Sequence, residues 1–381
     1  MTSRQRMRTA LERGKPDRVP IAMVADLDFY CKAAGRPLWE FEFGDNAARA
    51  AIQRDAHLRF PDNDFTLCWT GVDHETAASR RVVVEDGQPF LEWTATGERT
   101  PIQPRKTAAH WSERGGGITS RSGWERPIAS EQEIEAALGP VPTVQDILRR
   151  GIYDPVAALR RDLGERAHIA VAAHGVFPTA LDAMGGFEEG MLALRDRPHL
   201  FRAVVEQFAL RSAATLQAGA RQGADAAWLG GYLEGSDLIS PAAWREVVLP
   251  GHRLQVEAAR AQGLQVLFWF LGDCMPLLRD LVDLGLDGLV VEQPRRGYSS
   301  DPVAVRREVG NAFCVYGWNW ELDFINDRRE NITREVERQV RGAGRDGAFI
   351  MGTTYLTSEA SLDAVDHFCR EVVRVSREVG Y

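Results

Sequence analysis

The sequence predicts an α/β chain folded as a (β/α)8 TIM barrel, with a β-hairpin-containing insertion after its second strand. Three observations carry that prediction. Apolar runs of strand length recur along the chain, and amphipathic helical stretches separate them. Near-continuous apolar strands with helices between them indicate a parallel sheet covered on both sides. At 381 residues the chain is long for one compact domain, and the closed barrel regularly reaches that size as a single unit. One domain over residues 1–381 is therefore expected, with the insertion at about 75–125.

The first strand is expected over residues 18–24, and a weaker run at 58–67 supplies the second. Residues 168–174, 226–232, 266–272, 288–293, 313–318 and 348–352 supply the rest. Ser240-Pro241 reads as an N-cap followed by proline in the first helical turn. Ser130-x-x-Glu133 is a capping-box pattern. Asp196-Arg197-Pro198 fits a break between two helices. Residues 331–341 form a charged helix, read as a solvated face. The insertion announces itself at residues 81–94, where Asp86-Gly87 is a hairpin turn between two β-rich runs. Its surroundings are polar and rich in Gly, Ser and Arg, as expected of a lid or an interface over one end of the barrel.

Composition narrows the function. Net charge is −8, from 46 basic and 54 acidic residues, which argues against a nucleic-acid or anionic-membrane surface. No apolar run approaches the roughly 18 residues needed to span a bilayer. The first eight residues are polar and basic with no apolar signal core behind them, so a cytoplasmic location is expected. The five cysteines (Cys31, Cys68, Cys274, Cys314, Cys369) are dispersed and form no CxxC pair. They read as buried thiols and not as a disulfide framework.

Several ordered motifs resemble the uroporphyrinogen decarboxylase superfamily, which also contains corrinoid-linked methyltransferases. Arg4-x-Arg6-Met7-x-x-Ala10-Leu11 with Lys15-Pro16-Asp17-Arg18-Val19-Pro20 looks like its N-terminal signature. Ile239-Ser240-Pro241-Ala242-Ala243-Trp244, running to Leu249-Pro250, resembles its Ser-Pro helix start. Residues 175–186 resemble the segment after its third strand, and Gly285-Leu286-Asp287-Gly288 its approach to strand six. The likeness covers nearly the whole chain outside the insertion. It implies a (β/α)8 barrel, in agreement with the strand count, and a homodimer.

The resemblance also carries site expectations. Lys32-Ala33-Ala34-Gly35-Arg36 resembles the family's Arg-Gln-Ala-Gly-Arg loop, whose arginines hold substrate carboxylates in bidentate pairs. Phe60-Pro61-Asp62 resembles its Phe-Ser-Asp, with Asp62 in the place of the catalytic carboxylate. The decarboxylase's tyrosine after strand three falls near Ala183, and its histidine after strand eight falls within residues 351–354, which contain neither. The methyltransferase branch implies His-x-Cys zinc ligands after strand five and a Cys after strand eight. Here those places hold Trp269, Leu271 and, approximately, Thr353, none of which binds zinc. No zinc is therefore expected at the family site.

Barrel active sites lie at the strand C-termini. The expected strand ends offer Asp26, Asp28, Asp62, Asp64, His174, Tyr232, Glu234, Trp269, Asp273, Glu292, Trp318, Asn319, Trp320, Thr354 and Tyr355. Aromatic faces with carboxylates suit flat apolar groups or cations. His174 and Glu292 each end an apolar strand, so they are the general acid/base candidates, with Asp62 as a third catalytic residue. Trp318 and Trp320, two apart, would share a face if their strand continues that far. A relocated metal could draw on His174, Glu234, Asp273, Cys274 and Glu292, but no pair has a diagnostic spacing.

The leading expectation is a methyltransferase or demethylase acting on a small aromatic or cationic methylated substrate, with a corrinoid, free (cobalamin) or on a partner protein, as methyl acceptor. A decarboxylase or other lyase using Asp62 and Arg36 is the alternative. A barrel that binds a ligand without catalysis is the third.

Overall fold

The computed structural model describes residues 1–103, 124, 126–173, 175–291, 297–298, 300–353 and 355–381. Its strands are β1 (Ile21–Ala22), β2 (Phe65–Cys68), β3 (Arg80–Glu85), β4 (Gln88–Trp93), β5 (Arg99–Pro101), β6 (His168–Ala172), β7 (Ala226–Tyr232), β8 (Gln265–Leu271), β9 (Gly288–Val291), β10 (Cys314–Gly317) and β11 (Phe349–Gly352). Eight of them form one parallel sheet in the order β1-β11-β10-β9-β8-β7-β6-β2. Asp64 joins the ends. Its N–H donates to Ile21 O at 2.8 Å, and its carboxylate accepts from Ile21 N–H at 2.9 Å. The result is a (β/α)8 barrel with helices outside. No helix among the described residues is long and apolar enough to cross a membrane.

Alternation along the strands builds two apolar layers, as a pleated strand requires. Phe65, Leu67, Ala170, Ala226, Trp228, Leu267, Val290, Cys314, Tyr316 and Ile350 fill the barrel interior. Their neighbours, including Ala227, Leu229, Val266, Phe268 and Phe270, pack outward against the helices. The N-terminal helix Ser3–Leu11 seals the bottom, with Met7, Ala10 and Leu11 joining the interior cluster. Arg6 donates to Asp64 at 2.6 Å and Arg4 to Asp225 at 2.7 Å, so the N-terminal signature is a plug and two ionic clamps.

The structure corrects several sequence expectations. Leu58 lies in the last turn of the helix Asn46–Arg59, and β2 begins only at Phe65. β1 is two residues long because side chains replace its ladder. Met23 N–H donates to Asn63 Oδ1 and Val24 N–H to Thr353 Oγ1, both at 3.1 Å. The helix Glu131–Leu138 forms without the expected box. The Ser130 side chain makes no cap, and Glu133 accepts from Ala129 N–H at 3.1 Å. Ser240 does cap its helix, accepting from Ala243 N–H at 3.2 Å.

The hairpin pairs β3 with β4 through Asp86-Gly87, whose φ values of 49° and 81° match a two-residue turn. β5 adds an unanticipated third strand. The small sheet leaves the C-terminal end of β2 and leans on the helix Leu38–Phe43, with Arg80 over the Phe43 ring at 5.4 Å. Residues 104–123 and 125 of the insertion lie outside the described residues.

Candidate active site at the barrel mouth

Aromatic rings stack upward through the interior to the C-terminal mouth. Tyr316 and Phe65 flank Trp228 at centroid distances of 6.1 and 5.7 Å. Trp228 touches Trp269 on β8 at 6.2 Å. Trp269 in turn lies against Tyr355 at 4.8 Å with 31° between the planes. Trp269 and Tyr355 are half-buried, while Tyr232, the last residue of β7, is 38% exposed. Tyr316 fits because β11 has a glycine beside it. A Cβ on Gly352 would lie 1.9 Å from the Tyr316 ring.

The tyrosines stay protonated at neutral pH. Burial, then Asp26, Tyr30 and Tyr232, push the Tyr355 hydroxyl well above its ordinary value. Desolvation, then Asp182 and Glu234, raise Tyr232 in the same direction. Asp26 sits at the mouth, where Ala25 bridges to Leu356 and Asp26 N–H donates to Leu356 O at 2.9 Å.

Glu234 does not line the mouth. Leu233 adopts a left-handed φ of 65°, rare for a bulky residue, and turns the chain back on itself. The fully buried Glu234 carboxylate then accepts from His252 Nε2 at 2.7 Å and Trp244 Nε1 at 3.2 Å through one oxygen. Its other oxygen has no partner among the described residues. Trp244 reaches it from a π-helical turn, Trp244–Val248, that precedes Pro250. Proline lacks the N–H that a regular ladder needs there, which accounts for the widened turn.

The turn after β8 is built from Gly272, Asp273 and Cys274. Gly272 has φ 137°, and a Cβ on it would press on Gly235 and Asp237 at 2.9 and 2.8 Å. Asp273 accepts from Ser236 Oγ at 2.7 Å and from Met275 N–H at 3.1 Å, so it braces two loops. Leu271 is buried, and Thr353 exchanges hydrogen bonds with the Val24 backbone. Cys274 is fully buried with its thiol pushed up to about 12 by burial. Trp269, Leu271 and Thr353, which stand in the family's ligand places, offer none of the thiolate, imidazole or carboxylate donors that zinc takes. Among the described residues no three His, Cys, Asp or Glu side chains gather around a common point.

Other anticipated residues fall elsewhere. Asp28 is buried and braces the loop after β11, accepting from Ser358 N–H at 3.0 Å. Lys32 donates to Ser358 O and Ala360 O, both at 2.8 Å, and Arg36 faces solvent paired with Glu40. Asp62 is a correction. It lies in the turn before β2, at the barrel bottom, in a groove with Arg370, Arg374 and Arg377 of the last helix. Asp64 likewise sits at the bottom, bound by Arg6 and Arg18. The strand starts later than its apolar run implied, so both carboxylates precede it.

Trp318 and Trp320 are also corrected. β10 ends at Gly317, and Trp320 immediately precedes the helix Glu321–Ile325. The two rings meet edge to face at 5.5 Å within the outer core, with Asn319 fully buried between them in sequence. They form no platform. His174, Glu292 and Thr354 lie outside the described residues.

Sequence reasoning missed Trp228, Tyr316 and Gly230. The available signal was the Gly230-Gly231 doublet inside an apolar strand, which marks a close approach or a missing side chain.

The barrel with an aromatic mouth at its strand C-termini defines a (β/α)8 protein of the kind that builds its site from βα loops. The family model for uroporphyrinogen decarboxylase (URO-D) matches residues 122–374. The chain belongs to that family. Among solved structures it is similar to a methyltransferase from Methanosarcina mazei, at 14% identity and TM-score 0.69, over 98% of each chain. A B12-independent methionine synthase from Shewanella sp. W3-18-1 in complex with selenomethionine is 10% identical with TM-score 0.47, covering 95% of this chain and 98% of that one. The likeness to the Methanosarcina mazei methyltransferase shows the fold alone. No curated protein sequence matches the chain.

Proposed function

We propose that this chain is an enzyme of the methyltransferase-like branch, taking the methyl group from a small methylated substrate of aromatic or cationic character. The observation that carries the reading is the Trp269–Tyr355 pair at the mouth, where the resemblance puts a zinc ligand in relatives. Zinc in that place serves thiol chemistry. An aromatic wall there fits a donor that needs no thiolate.

The methyl–heteroatom bond breaks, and its electron pair stays on the heteroatom, which then takes a proton. His174 or Glu292 is assigned the proton on sequence position. The Tyr232 hydroxyl, held protonated, donates a hydrogen bond to the leaving heteroatom. The second substrate is a reduced corrinoid, free or on a partner protein, which supplies the two-electron nucleophile. The aromatic rings orient the donor and exclude water.

The lyase reading loses its residues, since Asp62 lies at the barrel bottom and Arg36 pairs with Glu40. The test mixes the protein with cob(I)alamin and a panel of methoxylated aromatics and quaternary amines. The corrinoid spectrum turning red with demethylated product is the expected result. One tightly held zinc per chain, or binding without product under every acceptor, overturns the reading.

A further inference from the structure

Gly230 occupies an unusual place. Ala226 and Trp228 on the same strand face the barrel interior, so Gly230 faces it too. Its outward neighbour Gly231 is crowded, since a Cβ there would meet Glu234 and Phe268 at 2.5 and 2.9 Å. A Cβ on Gly230 would meet, among the described residues, only the Tyr232 ring, at 4.0 Å. Its φ needs no glycine, because it is absent from the positive-φ positions. Among the described residues, what the glycine supplies is therefore space.

The space should otherwise be filled. Gly230 pairs with Trp269 across the β7–β8 ladder, and an aromatic residue opposite a strand glycine commonly lies over it. The Trp269 ring does not. It leans toward Trp228 and Tyr355 instead. Among the described residues, three aromatic residues thus bound an uncovered strand position: Trp228 two residues before it on the strand, Trp269 beside it and Tyr232 two residues after it. The carboxylate of this loop, Glu234, is turned away into its pair with His252.

We infer that Gly230 sets substrate specificity, opening a slot for a planar, uncharged aromatic ring between the β7 backbone and the Trp228, Trp269 and Tyr232 rings. This deepens the proposed function and rests on it for the methyl group, but not for the ring. Flat rings gain from aromatic walls by stacking. A cation would also stack on these faces, but Glu234, the carboxylate of this loop, is committed to His252 and gives it no counter-charge.

The test is calorimetric binding of 4-methoxyphenol to the wild-type chain and to Gly230→Ala and Gly230→Val. Valine suits a strand, and thermal melting checks that both variants fold. Wild type is expected to bind, Gly230→Ala to bind less tightly, and Gly230→Val to lose at least about tenfold, the scale of one or two misplaced methyl groups in a pocket. Should Gly230→Val not fold, Gly230→Ala with Trp269→Leu carries the same expectation. Absence of wild-type binding, unchanged affinity in the variants, or equal affinity for tetramethylammonium or methoxycyclohexane overturns the inference. 4-Methylphenol, which has no methyl ether, is expected to bind as well. Binding of both phenols without methyl transfer would sink the proposed reaction and leave the slot standing.

Discussion

The indole of Trp269 and the ring of Tyr355 meet at 4.8 Å across the barrel mouth, one from β8 and one from the segment after β11. The contact ties together strands three places apart in the sheet order. Trp269→Ala would remove this wall and leave Trp228 uncovered. The ring is half-buried, so the expected stability loss is about 2 kcal/mol, below the ~3–5 kcal/mol of a fully buried tryptophan. Trp269→Phe should recover most of that loss. Urea unfolding reads the stability, and 4-methoxyphenol calorimetry reads the expected loss of binding.

The barrel was legible because its strands are apolar on both faces and its helices carry caps and proline breaks, as at Ser240-Pro241 and Asp196-Arg197-Pro198. Site residues were less legible, for a physical reason. Which face or end a residue reaches depends on where the strand begins and how the loop turns. A strand starting at Phe65 puts Asp62 before the barrel, and the left-handed Leu233 rotates Glu234 from mouth to core. Tyr232, Trp269 and Tyr355 stand where their strands end, because they lie on or beside regular strand ends.

Asp62 offers a direct check on this placement. If it lies outside the site, Asp62→Asn should leave methyl transfer unchanged. Its melting free energy should stay within about 0.5 kcal/mol of wild type, as for ordinary surface changes. A loss of turnover at unchanged stability would place Asp62 in the chemistry after all.

Both side chains of the Glu234–His252 pair are fully buried. Glu234→Ala would strip His252 Nε2 and Trp244 Nε1 of their acceptor. The expected loss is about 3–5 kcal/mol, the range for breaking a buried pair from one side. Glu234→Gln keeps the shape and one acceptor oxygen, so about 1–3 kcal/mol is expected. Chemical denaturation orders the two variants, and equal losses would refute the hydrogen-bonding account.

Every cysteine is buried and free. Burial pushes the Cys31 and Cys274 thiols up to about 12, and raises Cys68, Cys314 and Cys369 as well. The reactive form is the thiolate, and a raised pKa keeps each group protonated at pH 8. No thiol should react with Ellman's reagent in the native protein at that pH, and all five should react in guanidinium. One rapidly titrating native thiol, traced to Cys274, would reopen a thiolate role beside the mouth.

Gly352 and Tyr316 form a lock inside the barrel. Tyr316 crosses the face of β11 to donate its hydroxyl to Ala22 O, and it crosses where Gly352 has no side chain. A Cβ at 1.9 Å from the ring carbon cannot be accommodated by a rotamer change, because Trp228 packs on the ring's other side. Gly352→Ala alone should cost about 1–3 kcal/mol, the usual penalty for overpacking a core. Tyr316→Leu alone should cost a similar amount, through its lost packing and hydrogen bond. The double variant should cost less than the sum by about 0.5–3 kcal/mol, since the smaller side chain makes room for the methyl group. Thermal or urea unfolding of the four proteins completes the cycle. Strict additivity would mean that the two positions do not share the space, and that Gly352 is required for some other reason.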